Sequence, residues 1–221
     1  MQPDAPLVRL EAVSKSYGDR SVLREVSIDV RSGEMTSLTG ASGSGKSTLI
    51  SLLAGLTVPD KGRVLFDGEE INDLDDASRA RLRGRRIGIV LQSGNLIPFL
   101  TASENIELAT RFSGDGEGER ARELLVELGV ADRSDHLPRR MSGGQAQRVA
   151  VAVALANEPD LLLADEVTGQ LDSATAEKVM RTIFEAGRRH GLTVLFVTHD
   201  RELAARAERR LVLEAGQVRE P

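Results

Sequence analysis

The sequence contains no cysteine, only three histidines, and aromatic residues at just 3% of its 221 positions. Without cysteine the chain forms no disulfide, offers no thiolate nucleophile and has no cysteine ligands for a metal. Three scattered histidines are too few for a histidine-rich zinc site. These absences fit a reducing cytoplasm.

Long hydrophobic runs and an excess of positive charge are also missing. The longest apolar stretches, such as residues 149–156, are far shorter than the roughly 20 residues that a spanning helix needs. Residues 1–10 show no basic region followed by an apolar core, so no secretory signal is predicted. The formal net charge of −5 draws the chain neither to nucleic acid nor to an anionic membrane. We expect a cytoplasmic protein that does not bind nucleic acid and whose membrane role, if any, needs another chain.

A glycine-rich loop is the strongest motif that the chain does contain. Its residues are Gly40, Ala41, Ser42, Gly43, Ser44, Gly45, Lys46, Ser47 and Thr48, and they fit the pattern G-x-x-x-x-G-K-[ST]. A short apolar strand over 35–39 precedes the loop, and apolar residues at helical spacing over 47–56 follow it. We expect Lys46 to reach the β- and γ-phosphates of a nucleotide and the Ser47 hydroxyl to hold Mg²⁺. An ordinary surface turn with an exposed lysine does not explain four fixed positions in this context.

Polar residues stand at the ends of three further apolar runs that read as buried strands. The runs are 87–91, 161–164 and 193–197. In a mononucleotide-binding sheet, ligand groups gather at the carboxyl ends of the strands. Asp165 would hold Mg²⁺ through water, Glu166 would polarise the attacking water, and Gln92 and His199 could contact Mg²⁺, water or the γ-phosphate. Each of the four residues also has a purely structural explanation. Gln92 and His199 could be ordinary residues at strand ends, and the acidic pair could cap a helix.

Two more motifs are compatible with nucleotide binding or with a purely structural role. Tyr17, the only tyrosine, closes a strand shortly before the loop, where an adenine ring could stack on it or where it simply packs. The second motif consists of Ser142, Gly143, Gly144 and Gln145, just before a helix predicted to reach Ala156. Ser142 can cap that helix, and the glycines either expose its amides to an anion or serve as a linker.

The remaining patterns outline the rest of the chain. Alternation predicts strands over 7–13 and 22–30, and residues 63–66 with the turn at Asp67-Gly68 predict a further strand pair. Helices are predicted over 76–86, which is strongly basic, from 101 onwards, and over 119–128. Residues 112–118 read as a surface loop, so 96–140 is expected to be a mostly helical insertion.

In this order the motifs resemble those of the nucleotide-binding subunits of ATP-binding-cassette (ABC) transporters, over essentially Leu7–Val218. The resemblance identifies Tyr17 with the adenine-stacking loop, 40–48 with the Walker A loop, Gln92 with the Q-loop, Ser142–Gln145 with the family signature, Asp165 and Glu166 with the Walker B aspartate and catalytic glutamate, Asp172 with the D-loop, and His199 with the switch histidine. It implies ATP and Mg²⁺ as cofactors, with Lys46 as a further catalytic residue and Ser47, Gln92 and Asp165 at the metal.

The resemblance also implies the fold. The expected class is α/β: a P-loop NTPase (RecA-like) core with a mostly parallel sheet, an N-terminal antiparallel β subdomain, and a helical subdomain inserted between the Q-loop and the signature. The chain would be one ATPase domain, with its core at about 1–92 and 157–221 and the helical subdomain at about 93–156.

Partners follow from the resemblance as well. In the family, two subunits pack head to tail, and the signature of one covers the γ-phosphate held by the Walker A loop of the other. The resemblance implies such an ATP-dependent dimer, docked through Gln92–Glu104 to a permease at the inner face of the cell membrane. The sequences of residues 92–106 and 164–172 are similar to those of the lipoprotein-release and macrolide-export branch. It implies export or mechanical work on the permease.

Four residues depart from the branch pattern. Val167 stands where proline is usual, Gln170 where asparagine is usual, Val153 where arginine is common and Met141 where leucine is commoner. None of the four removes a phosphate, Mg²⁺ or water contact, but Val167 puts the hydrolysis rate in doubt. Other hypotheses are a regulatory ATPase acting on DNA or ribosomes, a small-molecule kinase or GTPase, and a scaffold that binds ATP without turnover.

Overall fold

The computed structural model describes residues 6–92, 95–111, 119–169 and 171–221, which form two β-sheets and seven α-helices. The strands are β1 Pro6–Tyr17, β2 Arg20–Arg31, β3 Met35–Thr39, β4 Lys61–Phe66, β5 Glu69–Glu70, β6 Ile87–Val90, β7 Leu161–Asp165, β8 Thr193–Val197, β9 Arg209–Glu214 and β10 Gln217–Arg219. The helices are α1 Lys46–Leu53, α2 Asp76–Arg86, α3 Ala102–Arg111, α4 Glu119–Glu127, α5 Gly143–Leu155, α6 Ser173–His190 and α7 Arg201–Ala204. Short 3₁₀ turns lie at Ala131–Arg133 and Pro138–Arg140.

The larger sheet has six strands in the order β10-β9-β3-β8-β7-β6, all parallel except β10. Strand β8 is buried along its whole length, as a parallel strand covered on both faces must be. Val197 pairs with both Leu38 of β3 and Asp165 of β7, so these three strands end at one level. The loops that follow them therefore meet at one edge of the sheet.

The smaller sheet is antiparallel, with the order β2-β1-β4-β5, and confirms the predicted antiparallel unit near the N-terminus. Its first two strands are longer than predicted, because the β1–β2 hairpin continues to a tight turn at Gly18-Asp19. Tyr17 pairs with Arg20 across that turn. At the β4–β5 turn Asp67 and Gly68 both have positive φ, as the type I′ turn of a two-residue hairpin requires.

In the described residues between β6 and β7 lie helices α3, α4 and α5, which confirm the predicted helical insertion. A hydrophobic cluster joins Ile106 of α3 and Leu124 of α4 to Leu162 of β7. Helix α5 packs on β6 so closely that a Cβ on Gly88 would overlap the carbonyl oxygen of Ala154. The insertion thus shares its core with the parallel sheet.

One helix is shorter than its apolar pattern suggests. The prediction carried α1 through Leu56, but the helix ends at Leu53 because Gly55 takes a left-handed φ of +61°. Leu56 is consequently 54% exposed instead of joining the buried face. The predicted loop at 112–118 and the departure at Gln170 lie outside the described residues. Within the described ranges no helix is long and apolar enough to cross a membrane.

Candidate functional site

The predicted phosphate loop lies between β3 and α1 and has no room for side chains at two of its glycines. Gly45 has a φ of +109°, and a Cβ there would lie 2.9 Å from Val22 Cγ1. A Cβ on Gly40 would overlap the carbonyl oxygen of Leu213, and it would lie 2.9 Å from Ser44 Oγ. The antiparallel hairpin and β9 therefore press the loop from two sides and hold its backbone in a curl.

Lys46 is buried, with 5% of its side chain exposed. Its Nζ donates to the carbonyl oxygens of Gly40 at 3.1 Å and Ala41 at 3.0 Å, and lies 3.7 Å from Glu166 Oε1. A buried ammonium needs partners of this kind. The lysine therefore folds back over its own loop and holds a positive charge at the centre of the site.

The fit of a phosphate to this loop can be judged from Ser44. Its Oγ is buried and lacks a hydrogen-bond partner among the described residues, although the backbone N of Ser44 donates to Ala41 at 3.2 Å. A buried hydroxyl without a partner is costly. An anionic oxygen in the curl would supply one, so the loop fits the phosphates of a nucleotide.

Asp165, at the end of β7, reaches the first turn of α1. Burial raises the pKa of its carboxyl, against the opposing effects of a hydrogen bond with Ser47 and the charge of Lys46, while Glu166 raises it further. Among the described residues no three His, Cys, Asp or Glu side chains are grouped to hold a metal by themselves. Mg²⁺ bound with one or two protein ligands plus substrate phosphates is the usual arrangement for nucleotide enzymes, and Ser47 with Asp165 fits it.

Glu166 and His199 follow neighbouring strands and meet at the sheet edge. His199 Nε2 lies 2.7 Å from Glu166 Oε1, at hydrogen-bond distance. Glu166 has a φ of +49°, a conformation that is uncommon for a residue with a Cβ and that recurs at functional sites. One carboxylate thus contacts both His199 and Lys46.

A cavity of about 460 Å³ opens beside Glu166 and brings most of the predicted nucleotide residues together, although its lining does not include His199, Gly40, Ala41 or Ser44. Its lining includes Tyr17, Ser42, Gly43, Gly45, Lys46, Ser47, Thr48, Gln92, Asp165 and Glu166. Tyr17 is 54% exposed rather than packed inside. Gln92 lies over the turn after Glu166, since a Cβ on Gly169 would be 2.9 Å from its Nε2.

Arg20 lines the same cavity and was missed from the sequence. Its Nη2 donates to the carbonyl oxygen of Gly43 at 3.3 Å, so a second cation lies beside the phosphate loop. The only available signal was a basic residue three positions after Tyr17. That signal has no meaning until the length of the hairpin is known.

The Ser142 motif lies elsewhere, at the start of α5. Ser142 Oγ accepts from the backbone N of Gln145 at 3.3 Å, and the Gln145 side chain accepts from the N of Ser142 at 2.9 Å, which forms a capping box. Asp172 caps the neighbouring α6 by accepting from the N of Thr175 at 3.1 Å. Of the described residues that line the nucleotide cavity, none belongs to Ser142–Gln145 or is Asp172.

A larger cavity, of about 1000 Å³, lies at the amino ends of the parallel strands. Its charged residues are already paired: Arg86 contacts Asp160 at 2.5 Å and Asp67 at 3.0 Å, and Arg120 contacts Glu158 at 3.5 Å. It contains neither the phosphate loop nor the acidic pair, so we assign the function to the smaller cavity at the carboxyl edge.

Comparisons with known proteins identify the family of the chain. The ABC transporter family model matches residues 23–169. The uncharacterised ABC transporter ATP-binding protein YbbA of Escherichia coli K12 is 44% identical over 225 residues, covering 99% of each chain. The macrolide export ATP-binding/permease protein MacB of Brucella melitensis is 45% identical over 97% of this chain, which spans 34% of that protein.

Solved structures give the same result. The cassette MJ0796 of Methanocaldococcus jannaschii, in a dimeric post-hydrolysis state bound to ADP and phosphate, superimposes with a TM-score of 0.90 at 41% identity over 97% of each chain. Together with the macrolide-export relative, these matches confirm the P-loop NTPase fold and are consistent with the predicted branch. The chain is therefore a member of the ABC transporter family, an ATPase cassette that binds ATP with Mg²⁺ and hydrolyses it to ADP and phosphate.

Proposed function

We propose that the chain works as one of two identical cassettes that close head to tail around two ATP molecules. The observation that carries this proposal is the separation of two anion-binding features in one chain: the Lys46 loop lies in the cavity, whereas Ser142 and Gly143 are exposed on α5 outside it. A two-fold pair lets the α5 end of one chain cover the cavity of the other. The dimeric MJ0796 structures support this arrangement.

In each site, different residues bind different parts of the nucleotide. The Tyr17 ring stacks on adenine, the 40–48 backbone cradles the phosphates, and Lys46 and Arg20 add positive charge. Ser47, Gln92 and Asp165 would hold Mg²⁺, which when bound neutralises charge on the phosphate oxygens. From the partner, Ser142–Gln145 cover the γ-phosphate, and Asp172 lies at the shared interface.

Hydrolysis is assigned to Glu166 and His199. Glu166 accepts a hydrogen bond from the attacking water and orients it, and His199, at 2.7 Å, keeps the carboxylate turned toward the site. Lys46 stabilises the charge that develops on the transferred phosphoryl oxygens. When ATP enters, Lys46 exchanges its contacts with Gly40, Ala41 and Glu166 for contacts with phosphate.

The partner that uses this cycle is a membrane permease, and we propose Gln92–Glu104 as its docking segment. Phe99 in this segment is 76% exposed, and Ile97 is half-buried beside it. An exposed aromatic beside the Gln92 loop suits a short amphipathic helix of the partner. The cassette would then be cytoplasmic and peripheral on the membrane, with a core at about 1–92 and 157–221 moving against a helical subdomain at about 93–156.

The proposal is tested by Glu166→Gln with light scattering and phosphate release. The variant keeps the shape of the side chain but removes the base, so it should bind ATP, dimerise with Mg-ATP and lose at least about 100-fold in turnover. The unaltered protein should release phosphate and stay mostly monomeric. A variant that stays monomeric with saturating Mg-ATP, or retains full turnover, would refute the shared site or the role of Glu166.

A further inference from the structure

Gly144 is the one residue of the Ser142 motif that is buried, and its burial is against α6. It lies in the helical conformation of α5, so no unusual φ requires a glycine. A Cβ at this position would overlap Thr175 Cγ2 deeply. Ordinary carbon contacts are about 3.5–4.0 Å, so an alanine would force the two helix ends apart by about 1 Å or more.

Thr175 cannot swing its methyl group away. Its Oγ1 donates to Asp172 Oδ2 at 2.6 Å, and its backbone N donates to Asp172 Oδ1 at 3.1 Å. A β-branched side chain in a helix has few rotamers, and this bond selects one of them. The methyl group is therefore fixed toward Gly144 by the cap of α6.

The same helix ends are connected to Glu166 by a short series of contacts. Gly169 N donates to the carbonyl oxygen of Glu166 at 3.0 Å, and Leu171 N donates to that of Thr168 at 3.0 Å. A Cβ on Gly143 would lie 3.0 Å from Leu171 Cδ2. The start of α5 thus rests on the segment that leads from Glu166 into α6.

We propose that Thr175 is a positioning residue for ATP hydrolysis, and that Gly144 is glycine because Thr175 leaves no space for a side chain. This inference rests on the proposed function, since it concerns the surface that α5 offers to the partner's ATP. Thr175 sets the distance between the start of α5, with Ser142 and Gly143, and the start of α6, with Asp172. Through Thr175, the segment that follows Glu166 in one ATP site positions the start of α5, which covers the other ATP site.

The test is a double-substitution rescue. Gly144→Ala should lower the melting temperature by about 3–8 °C and turnover by about ten- to a hundredfold, because a misplacement of about 1 Å is costly. Thr175→Ser removes the methyl group but keeps the hydrogen bond to Asp172. The Cβ of residue 175 would then lie 3.7 Å from the alanine Cβ at position 144. The double variant should regain most of the melting temperature that Gly144→Ala loses. On a logarithmic scale, it should also regain at least half of the lost turnover.

Two controls accompany the rescue. Gly143→Ala meets a flexible leucine instead of Thr175, so adding Thr175→Ser should not improve it. Monomer affinity for ATP, measured with a fluorescent analogue, should be unchanged in all variants, because the Lys46 loop is not involved.

The outcomes separate this inference from the proposed function. If Gly144→Ala melts like the unaltered protein, or the double variant recovers neither stability nor turnover, the steric role of Thr175 is refuted. The melting arm needs neither ATP nor a dimer. Rescue of stability in a protein that never dimerises would support the Gly144–Thr175 contact but refute the head-to-tail pair, and with it the positioning role.

Discussion

At the scale of single residues, the site contains charged groups that satisfy one another before the nucleotide enters. Lys46 holds two carbonyl oxygens of its own loop and lies near Glu166, which His199 also contacts. Such pairing lowers the cost of burying a lysine. In the proposed function, ATP would therefore exchange these existing contacts of Lys46 for contacts with phosphate.

Asp165 yields a prediction at this scale. Burial raises the pKa of its carboxyl above the ordinary 3.8, so the folded protein binds the proton more tightly than the unfolded chain. Ionisation of Asp165 therefore costs stability as pH rises from about 4 through the raised pKa, and the whole cost persists above it. Asp165→Asn should melt a few degrees higher than the unaltered protein at pH 7, and the difference should vanish near pH 4.

The same variant should lose the strengthening of ATP binding by Mg²⁺, measured by titration with and without EDTA. Asp73→Asn, a change at an exposed aspartate, is the control and should alter neither quantity. Equal melting of Asp165→Asn and the unaltered protein at every pH would contradict the assigned cost of burial.

At the scale of elements, α5 matters most because it joins the helical insertion to the sheet and begins at the proposed interface. Gln147, buried in α5, donates its Nε2 to the carbonyl oxygen of Leu91 at 3.1 Å, directly before Gln92. Arg148 donates to the carbonyl oxygens of Leu128 and Gly129 at 3.1 and 2.8 Å. The helix therefore holds both the segment before Gln92 and the residues that directly follow α4.

Close packing of α5 on β6 predicts opposite effects of alanine at two nearby glycines. Gly88→Ala in β6 would collide with the backbone of Ala154, and overpacking of this kind costs about 1–3 kcal/mol. Gly84→Ala in α2 has open space around it, and better helix propensity should add about 0.5–1 kcal/mol. Urea melts of both variants measure these changes. A Gly88→Ala protein as stable as Gly84→Ala would disprove the tight contact.

At the scale of the whole molecule, exposed apolar residues distinguish one surface from another. Phe99 is 76% exposed in the proposed docking segment, while Val126 is 61% exposed on α4. Leu96, by contrast, packs against the main hydrophobic cluster, so its substitution would disturb the fold as well as docking. Phe99 is accordingly the residue that tests the surface.

Phe99→Ser should reduce the affinity of the cassette for washed membranes that contain its permease by about thirtyfold or more, since a buried aromatic anchor often contributes 2 kcal/mol or more. Val126→Ser is the matched control and should bind like the unaltered protein. ATP affinity should stay the same in both. Recovery of the Phe99 variant at the control level would place the docking surface elsewhere.

The local motifs were predictable because each depends on a few neighbouring residues. The loop around Lys46, the strand before Glu166 and the cap at Ser142 follow from spacing, periodicity and side-chain chemistry alone. The end of α1 was not predictable, since the apolar pattern continued through Leu56 while Gly55 adopted the left-handed conformation that ends the helix. Propensity for a left-handed turn competed there with helical periodicity, and the turn prevailed.

By itself, the sequence determined the phosphate loop, the acidic pair at the end of β7 and the ATPase family. Only the tertiary structure decided that Arg20 lies beside the loop, that Gly144 faces Thr175, and that the Ser142 motif lies outside the nucleotide cavity. The physical reason is distance along the chain. Local hydrogen bonds and periodicity act over a few residues, whereas these contacts join residues 23 to 31 positions or more apart and depend on strand order, hairpin length and the packing of α5 on α6.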